Sequence, residues 1–159
     1  MSFSKKDVNQ TSNGIEVILW SIALPGFGQF LNGKYFKGTL LLILEFLINV
    51  QSHLNLALIS SFRGDTKTAA EQTDFQWLMF YPCIYMFSLW DAYRDAGVKN
   101  VSFAYLPFVF AAYLGTIGII YAANIKFMGK LIGPIWLPII FMLIGTGLGF
   151  LLRYFLVRK

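Results

Sequence analysis

Three polar side chains in one apolar segment have the spacing of a path for protons or cations. Glu45, Asn49 and His53 lie four residues apart in the stretch GTLLLILEFLINVQSHLNLALIS, and Ser52 falls on the same helical face. Glu45 and His53 are therefore about 12 Å apart along a helix, which is too far for a direct ion pair, and Asn49 could connect them through water. The pattern predicts a proton or cation path, a polar ligand site, or a seam of hydrogen bonds between helices.

The other residue types give no sign of catalysis. The chain has one His and one Cys, and its carboxylates are scattered, so no dedicated transition-metal site is expected. Neither a nucleophile–base arrangement nor a zinc-protease, kinase or esterase motif is visible. We therefore expect no enzymatic activity, no metal and no cofactor.

A second group of charged residues closes the third apolar segment. Asp91, Arg94 and Asp95 follow Trp90, and Arg94 can pair with Asp91 across one helical turn. Trp90 is typical of a side chain at the membrane interface. The group is interpreted as a solvated helix end, the cytoplasmic mouth of a pathway, or a cap on the turn described next.

Proline and glycine interrupt the first apolar segment in the stretch LPGFGQFLNGKYFKG. Pro25 ends or kinks a helix, and the glycines permit positive φ and close backbone approach. We predict that the first helix ends at Pro25–Gly26 and that residues 27–38 form an irregular or short helical turn. This turn is either structural or a site for an ion or a lipid headgroup. The residues singled out are Pro25, Gly26, Gly28, Gln29, Asn32, Gly33, Lys34 and Lys37, of which either Lys could pair with Asp91.

The composition indicates that these residues lie in a membrane. The chain is 57% hydrophobic and 13% charged, whereas soluble domains carry about 25% charged residues. Residues 38–60, 75–92, 103–124 and 131–152 would span about 27–35 Å as helices, which matches a hydrocarbon core of about 30 Å. The expected fold is an all-α polytopic helix bundle with four full spans plus a broken N-terminal apolar helix; five spans are an alternative.

Small residues in the last two apolar segments predict close helix packing. Ala111 and Gly115 are four residues apart, as are Gly145 and Gly149. Such spacing lets helix backbones approach each other within one chain or between copies.

The distribution of Lys and Arg favours four spans over five. If the first segment dips into the membrane and returns, nine of these residues lie on one side and four on the other. This bias predicts a cell-membrane protein with both termini in the cytoplasm and residues 63–74 outside. The net charge of +5 is interpreted as this topological bias, and no nucleic-acid partner is expected.

The glycine-rich turn and the later Trp90–Asp91 pair resemble the two-transmembrane-segment domain family, which is widespread in bacteria. The resemblance covers about residues 15–95, with a polar tail over 1–14 and a membrane hairpin over 96–159 outside it. It implies an architecture more than an activity, and it implies a first helix that crosses the membrane.

Together these features favour a membrane scaffold or accessory subunit without catalytic activity. The alternative is a small transporter or channel component that uses the face of Glu45, Asn49 and His53. The expected partners are membrane lipids, with anionic headgroups on the cytoplasmic side, and a membrane protein or a second copy of the chain.

Overall fold

The structure, a computed structural model, describes residues 5–97 and 102–158 as an almost entirely helical chain. Two strands of two residues form an antiparallel hairpin between the last two helices. The expected all-α fold is confirmed. The elements are α1 (Lys5–Ala23), α2 (Phe27–Leu31), α3 (Tyr35–Ser52), α4 (Leu54–Phe62), α5 (Thr66–Gln72), α6 (Phe75–Leu78), α7 (Tyr81–Asp95), α8 (Leu106–Tyr121), β1 (Lys126–Phe127), β2 (Lys130–Leu131) and α9 (Gly133–Val157).

The first apolar segment breaks where the sequence predicts. α1 ends at Ala23 and α2 begins at Phe27, so Pro25 and Gly26 separate the two helices. Gly26 has a left-handed backbone with a φ of 99°, and a Cβ there would lie 2.6 Å from the carbonyl oxygen of Gly38. Only glycine meets both conditions without strain.

The second apolar segment does not form the continuous helix expected over residues 38–60. α3 ends at Ser52 and α4 begins at Leu54, and the two helices are bent by 65° at this break. His53 lies between them with a left-handed φ of 56°. The carbonyl oxygen of Ser52 instead accepts from the backbone N–H of Asp74 at 3.2 Å, so α4 and α5 leave the end of α3 and return to it.

α8 and α9 form the most extensive helix pair, and small residues bring their backbones together. A Cβ at Gly149 would lie 2.5 Å from the Cα of Pro107, and one at Gly145 would overlap the carbonyl oxygen of Phe110. The predicted close packing is therefore confirmed within one chain. Gly147 differs, because a Cβ there would meet no atom within 4 Å.

The β-hairpin is held against α5 at one end of the bundle, called here the far end. The hydroxyl of Thr66 donates to the carbonyl oxygen of Leu131 at 2.5 Å. At the same end, the ring of Phe62 on α4 lies 4.9 Å from that of Trp136 on α9. The near end is the opposite one, where α7 ends at Asp95.

The predicted division of the chain at residue 95 does not separate two packing units. α9 packs against α4 and α5, and α8 packs against α7. α1 begins at Lys5, so a helix extends into the polar tail predicted over residues 1–14. No proline interrupts this stretch, so the helix extends backwards from its apolar turns. Residues 1–4 of the tail lie outside the described residues.

One described helix, α9, is by itself long and apolar enough to cross a membrane. α3 and α4 meet the same criterion only together, across their bend. The part of α1 over Gly14–Ala23 and the whole of α8 are apolar but shorter.

Candidate functional site

The glycine-rich turn folds back onto α7 as a helical hairpin made of α1 and α2. The hydroxyl of Tyr85 donates to the carbonyl oxygen of Ile22 at 2.9 Å. The backbone N–H of Gly26 donates to the hydroxyl of Ser88 at 3.0 Å. A Cβ at Gly28 would lie 2.8 Å from the Cβ of Ala92 and 2.9 Å from the carbonyl oxygen of Val17. A later residue of α7 therefore lies near an earlier residue of α1, and the two helices run antiparallel.

Close contact at Gly28 fixes the direction of this hairpin. A Cβ at Gly28 would overlap the Ser21 hydroxyl and lie 2.8 Å from the Cβ of Ala92. Ala92 is one helical turn nearer the end of α7 than Ser88, so α1 reaches its tip beside Ser88 and α2 descends again toward Ala92. The chain thus enters from the near end, turns at Pro25 and Gly26, and returns to the near end.

Polar side chains of α2 and α3 meet charged side chains of α7 at the near end. We call this group the Asp91 cluster. It consists of Gln29, Asn32, Lys37, Ser88, Asp91, Arg94 and Asp95.

Asp91 is the centre of this cluster, and its side chain is 2% exposed. One carboxylate oxygen accepts from the ammonium of Lys37 at 2.8 Å and from the guanidinium of Arg94 at 2.7 Å. The other oxygen accepts from the amide of Gln29 at 3.3 Å. Two cations and one amide therefore compensate the buried negative charge, which is the arrangement that a buried carboxylate requires.

The two amide side chains of the turn bind carbonyl oxygens of α7. Gln29 is fully buried and donates to the carbonyl oxygen of Ser88 at 2.9 Å. Asn32 donates to the carbonyl oxygen of Ala92 at 2.8 Å. These two bonds attach the turn to a neighbouring helix.

Asp95 and the two cations complete the cluster at its exposed edge. The Lys37 ammonium lies 3.2 Å from a carboxylate oxygen of Asp95, and the Arg94 guanidinium lies 3.7 Å from the other. The side chains of Lys37 and Arg94 are 43% and 49% exposed. Their charges balance those of Asp91 and Asp95, so the cluster carries no net charge.

The remaining singled-out residues of the turn shape its backbone. Gly33 has a φ of 70°, and Lys34 is exposed at the start of α3. Of the two pairs that the sequence allowed for Asp91, the structure contains the one with Lys37. Trp90 points elsewhere: its ring packs 5.7 Å from that of Phe108 on α8.

The predicted polar face of α3 is only partly formed. Ser52 is fully buried, while Glu45 and Asn49 are half-buried. His53 is exposed, so the prediction that it points into the bundle with Glu45 is wrong. The reason is the left-handed backbone at His53, which ends α3 and takes this side chain off the helical face. Asn49 donates to Asn55 at 3.3 Å, on the exposed surface.

Sequence reasoning missed Ser88 as a member of the cluster. It lies three residues before Asp91 and therefore on the same face of α7, which is the signal that could have identified it. Its hydroxyl accepts from the turn at Gly26, and its carbonyl oxygen accepts from Gln29.

The contacts of the Asp91 cluster fit a structural role, in which it holds the turn against α7, better than a reactive one. Its carboxylate is bound by three donors, and it contains no Cys or His. No family model, curated protein or solved structure matches the chain.

Proposed function

We propose that this is a multi-pass membrane protein that acts as a scaffold or accessory subunit without catalytic activity. The exposed apolar surface supports a membrane location. Only 28% of the most apolar window of α9 is buried, unlike the core helix of a soluble protein. Large apolar side chains such as Phe36 and Leu143 are 83% and 68% exposed. Exposed apolar surface of this extent marks a face that lipid or a partner protein covers.

The helix lengths are compatible with four spans. α3 and α8 have 18 and 16 residues, or about 27 Å and 24 Å. α9 has 25 residues, or about 38 Å. The fourth span is proposed to run through α6 and α7 in series. α9 exceeds a hydrocarbon core of about 30 Å, whereas α3 and α8 are about 3 Å and 6 Å shorter than it.

In this arrangement α1 and α2 enter the membrane without crossing it. The apolar part of α1, Gly14–Ala23, has 10 residues and is about 15 Å long. Its tip meets α7 at Ser88, which is seven residues, or about 10 Å, from the end of that helix at Asp95. The hairpin therefore ends part of the way across the bilayer, held by protein contacts as irregular backbone at this depth requires.

The positions of the cations support a cytoplasmic near end. The near end carries four described cations, Lys34, Lys37, Arg94 and Arg153. The loops and short elements of the far end carry the four cations of the less basic side, Arg63, Lys67, Lys126 and Lys130. Lys99 and Lys159, which were also counted on the basic side, lie outside the described residues. We propose that both termini are cytoplasmic and that the exposed Lys34 binds anionic headgroups there.

We also propose that residues 15–95 are a divergent two-transmembrane-segment domain. Supporting this, the glycine-rich turn and Asp91, the residues that carry the resemblance, are in direct contact through Gln29 and Lys37. The proposed domain differs from that family in its first helix, which returns instead of crossing.

The scaffold role rests on one observation: the polar groups of the Asp91 cluster bind one another. Asp91 uses both carboxylate oxygens on groups of its own chain, and the two amides of the turn bind α7. Within the described residues, the side-chain oxygen of Gln29 is buried without a hydrogen-bond partner. A carboxylate whose two oxygens are both bound stabilises a shape and is not free to act as a base or nucleophile.

The transporter alternative depends on Glu45. This carboxyl group is half-buried on α3, and intramembrane carboxyl groups commonly mark ion pathways. The face that it was predicted to share with His53 is interrupted by the bend, so a path would have to use other groups.

Purification after chemical cross-linking in native membranes tests the scaffold proposal. We expect a stoichiometric complex with a membrane protein or a second copy, retained by Asp95→Asn and weakened by Asp91→Asn, which loosens the hairpin. Proton or cation flux through the purified protein in proteoliposomes, abolished by Glu45→Gln, would instead establish the transporter.

A further inference from the structure

A cleft divides the bundle along one face of α7. α9 packs against α8, α4 and α5, whereas α1 and α3 pack against α7. The space between these two groups is a half-open cavity of about 380 Å³. This volume falls within the range of about 300–1,000 Å³ that small-molecule sites occupy.

The walls of the cleft are almost entirely apolar. α1, α4, α6, α7, α8 and α9 all contribute to the lining, including the prolines Pro82 and Pro138 and the side chains of Ile119 and Met142. Helix faces covered with such side chains offer no partner for a charged or strongly hydrated ligand, so an occupant must present apolar surface to them.

Only three hydroxyl groups line this cavity, and two of them are already bound. Tyr85 donates to the carbonyl oxygen of Ile22, and Thr146 donates to that of Met142 at 2.9 Å. The hydroxyl of Tyr81 makes no hydrogen bond within the described residues, and its ring stacks on that of Tyr85 at 5.7 Å. Tyr81 therefore offers a free donor at the margin of an apolar cavity.

Glu45 lies on α3, which packs against α7. It is half-buried and does not line the cavity. Within the described residues it has neither a hydrogen bond nor a salt bridge. Ten residues separate it from the start of α3 at Tyr35, which is about 15 Å and so about the middle of a bilayer.

We propose that this cleft binds a membrane-dissolved amphiphile that has one apolar chain and an uncharged oxygen group. The chain lies between α7 and α9, and the oxygen accepts a hydrogen bond from the hydroxyl of Tyr81. A long-chain alcohol, a fatty acid or a chain-bearing quinone has this chemistry. A phospholipid does not, because its charged headgroup would lie at mid-membrane, where charge costs several kcal/mol.

This inference rests on the four-span arrangement proposed above, which places the cleft within the bilayer. It is independent of the scaffold role, because a bound amphiphile can complete the packing of a scaffold as well as regulate it.

Photolabelling with hexadecanol that carries a diazirine in mid-chain tests the site. The protein is reconstituted in phosphatidylcholine nanodiscs, and labelled residues are mapped by mass spectrometry. We expect labelling on the α9 wall at Pro138 and Met142, displaced by unlabelled hexadecanol. Competition with palmitic acid and with a decyl-substituted quinone separates the three possible sources of the oxygen group.

Matched variants separate a built site from lipid contact in general. Tyr81→Phe keeps the ring and its stacking but removes the donor, and it should weaken competition about tenfold or less, the value of one hydrogen bond. Ile139→Trp fills the cavity and should abolish competed labelling. Leu148→Trp is its control. Leu148 lies on the same helix and is 45% exposed, close to the 42% of Ile139, but Leu148 does not line the cavity.

Labelling spread over lipid-facing residues without competition, or unchanged by both Tyr81→Phe and Ile139→Trp, would overturn the site. Thermal unfolding of each variant shows whether it folds. Failure of the membrane arrangement itself would be seen separately, as reaction of Ser2→Cys with a membrane-impermeant maleimide in intact cells.

Discussion

Replacing Asp91 with Asn tests whether the buried carboxylate holds the α1–α2 hairpin in place. Asn keeps the volume of the side chain but removes its charge. It also leaves a single accepting oxygen, where Asp91 now receives three donors from Lys37, Arg94 and Gln29. At least one donor would then face the NH₂ group of the new amide.

The expected loss follows from the exposure of each partner. Lys37 and Arg94 are 43% and 49% exposed, so water screens both pairs, and together they contribute about 1–2 kcal/mol. A donor left facing another donor in the buried site costs a further 1–3 kcal/mol, approximately. Asp91→Asn should therefore lower the free energy of unfolding by about 2–5 kcal/mol.

Unfolding in detergent micelles, followed by circular dichroism, measures this change. Asp95→Asn is the control, because Asp95 is more exposed, at 17%, and its contacts with Lys37 and Arg94 are longer, at 3.2 and 3.7 Å. It should cost less than about 1 kcal/mol. If Asp91→Asn is as stable as the parent or more stable, the cost of desolvating the carboxylate exceeds the energy gained from its ion pairs. The interpretation that Asp91 holds the hairpin in place would then be wrong.

Three further predictions concern other parts of the structure. Gly28→Ala should destabilise the fold by about 1–3 kcal/mol through overlap at the hairpin contact, whereas Gly147→Ala, which meets open space, should be neutral or stabilising; unfolding curves compare them. Glu45→Gln should leave stability within about 1 kcal/mol of the parent and have no effect on ion flux in proteoliposomes, since Gln keeps the shape and can hydrogen-bond. The hydroxyl and backbone N–H of Thr68 hold the pKa of Asp65 below its usual value. Asp65→Asn should therefore be less stable than the parent protein at neutral pH. This difference in the free energy of unfolding should disappear as the pH falls through that lowered pKa.

The local breaks of the chain were predictable where proline or glycine carries the signal. Pro25 and Gly26 end α1 as expected, because proline lacks an N–H and Gly26 adopts a left-handed backbone. The bend at His53 was not predictable in this way. No proline or glycine marks it, and the hydrogen bond from Asp74 that stabilises it joins residues 22 positions apart.

The candidate site was likewise predictable from the sequence only in part. The spacing of Asp91, Arg94 and Asp95 predicted an ion pair along one helix, and the structure adds Lys37 from the turn, one of two pairs that the topology allowed. The partner of Gln29 could not be derived from spacing, since it depends on how α2 lies against α7. The cleft beside Tyr81 could not be derived from the sequence either, because it depends on which helices are not in contact with each other.

The central claim is that α1 and α2 dip into the membrane and return to the side they came from. Single cysteines at Ser2, Lys34 and Thr68, in a Cys83→Ser background, are exposed to a membrane-impermeant maleimide in intact cells and again after lysis. We expect Thr68→Cys to react in intact cells, and Ser2→Cys and Lys34→Cys to react only after lysis. Reaction of Ser2→Cys in intact cells would mean that the first helix crosses the membrane, and it would contradict the account.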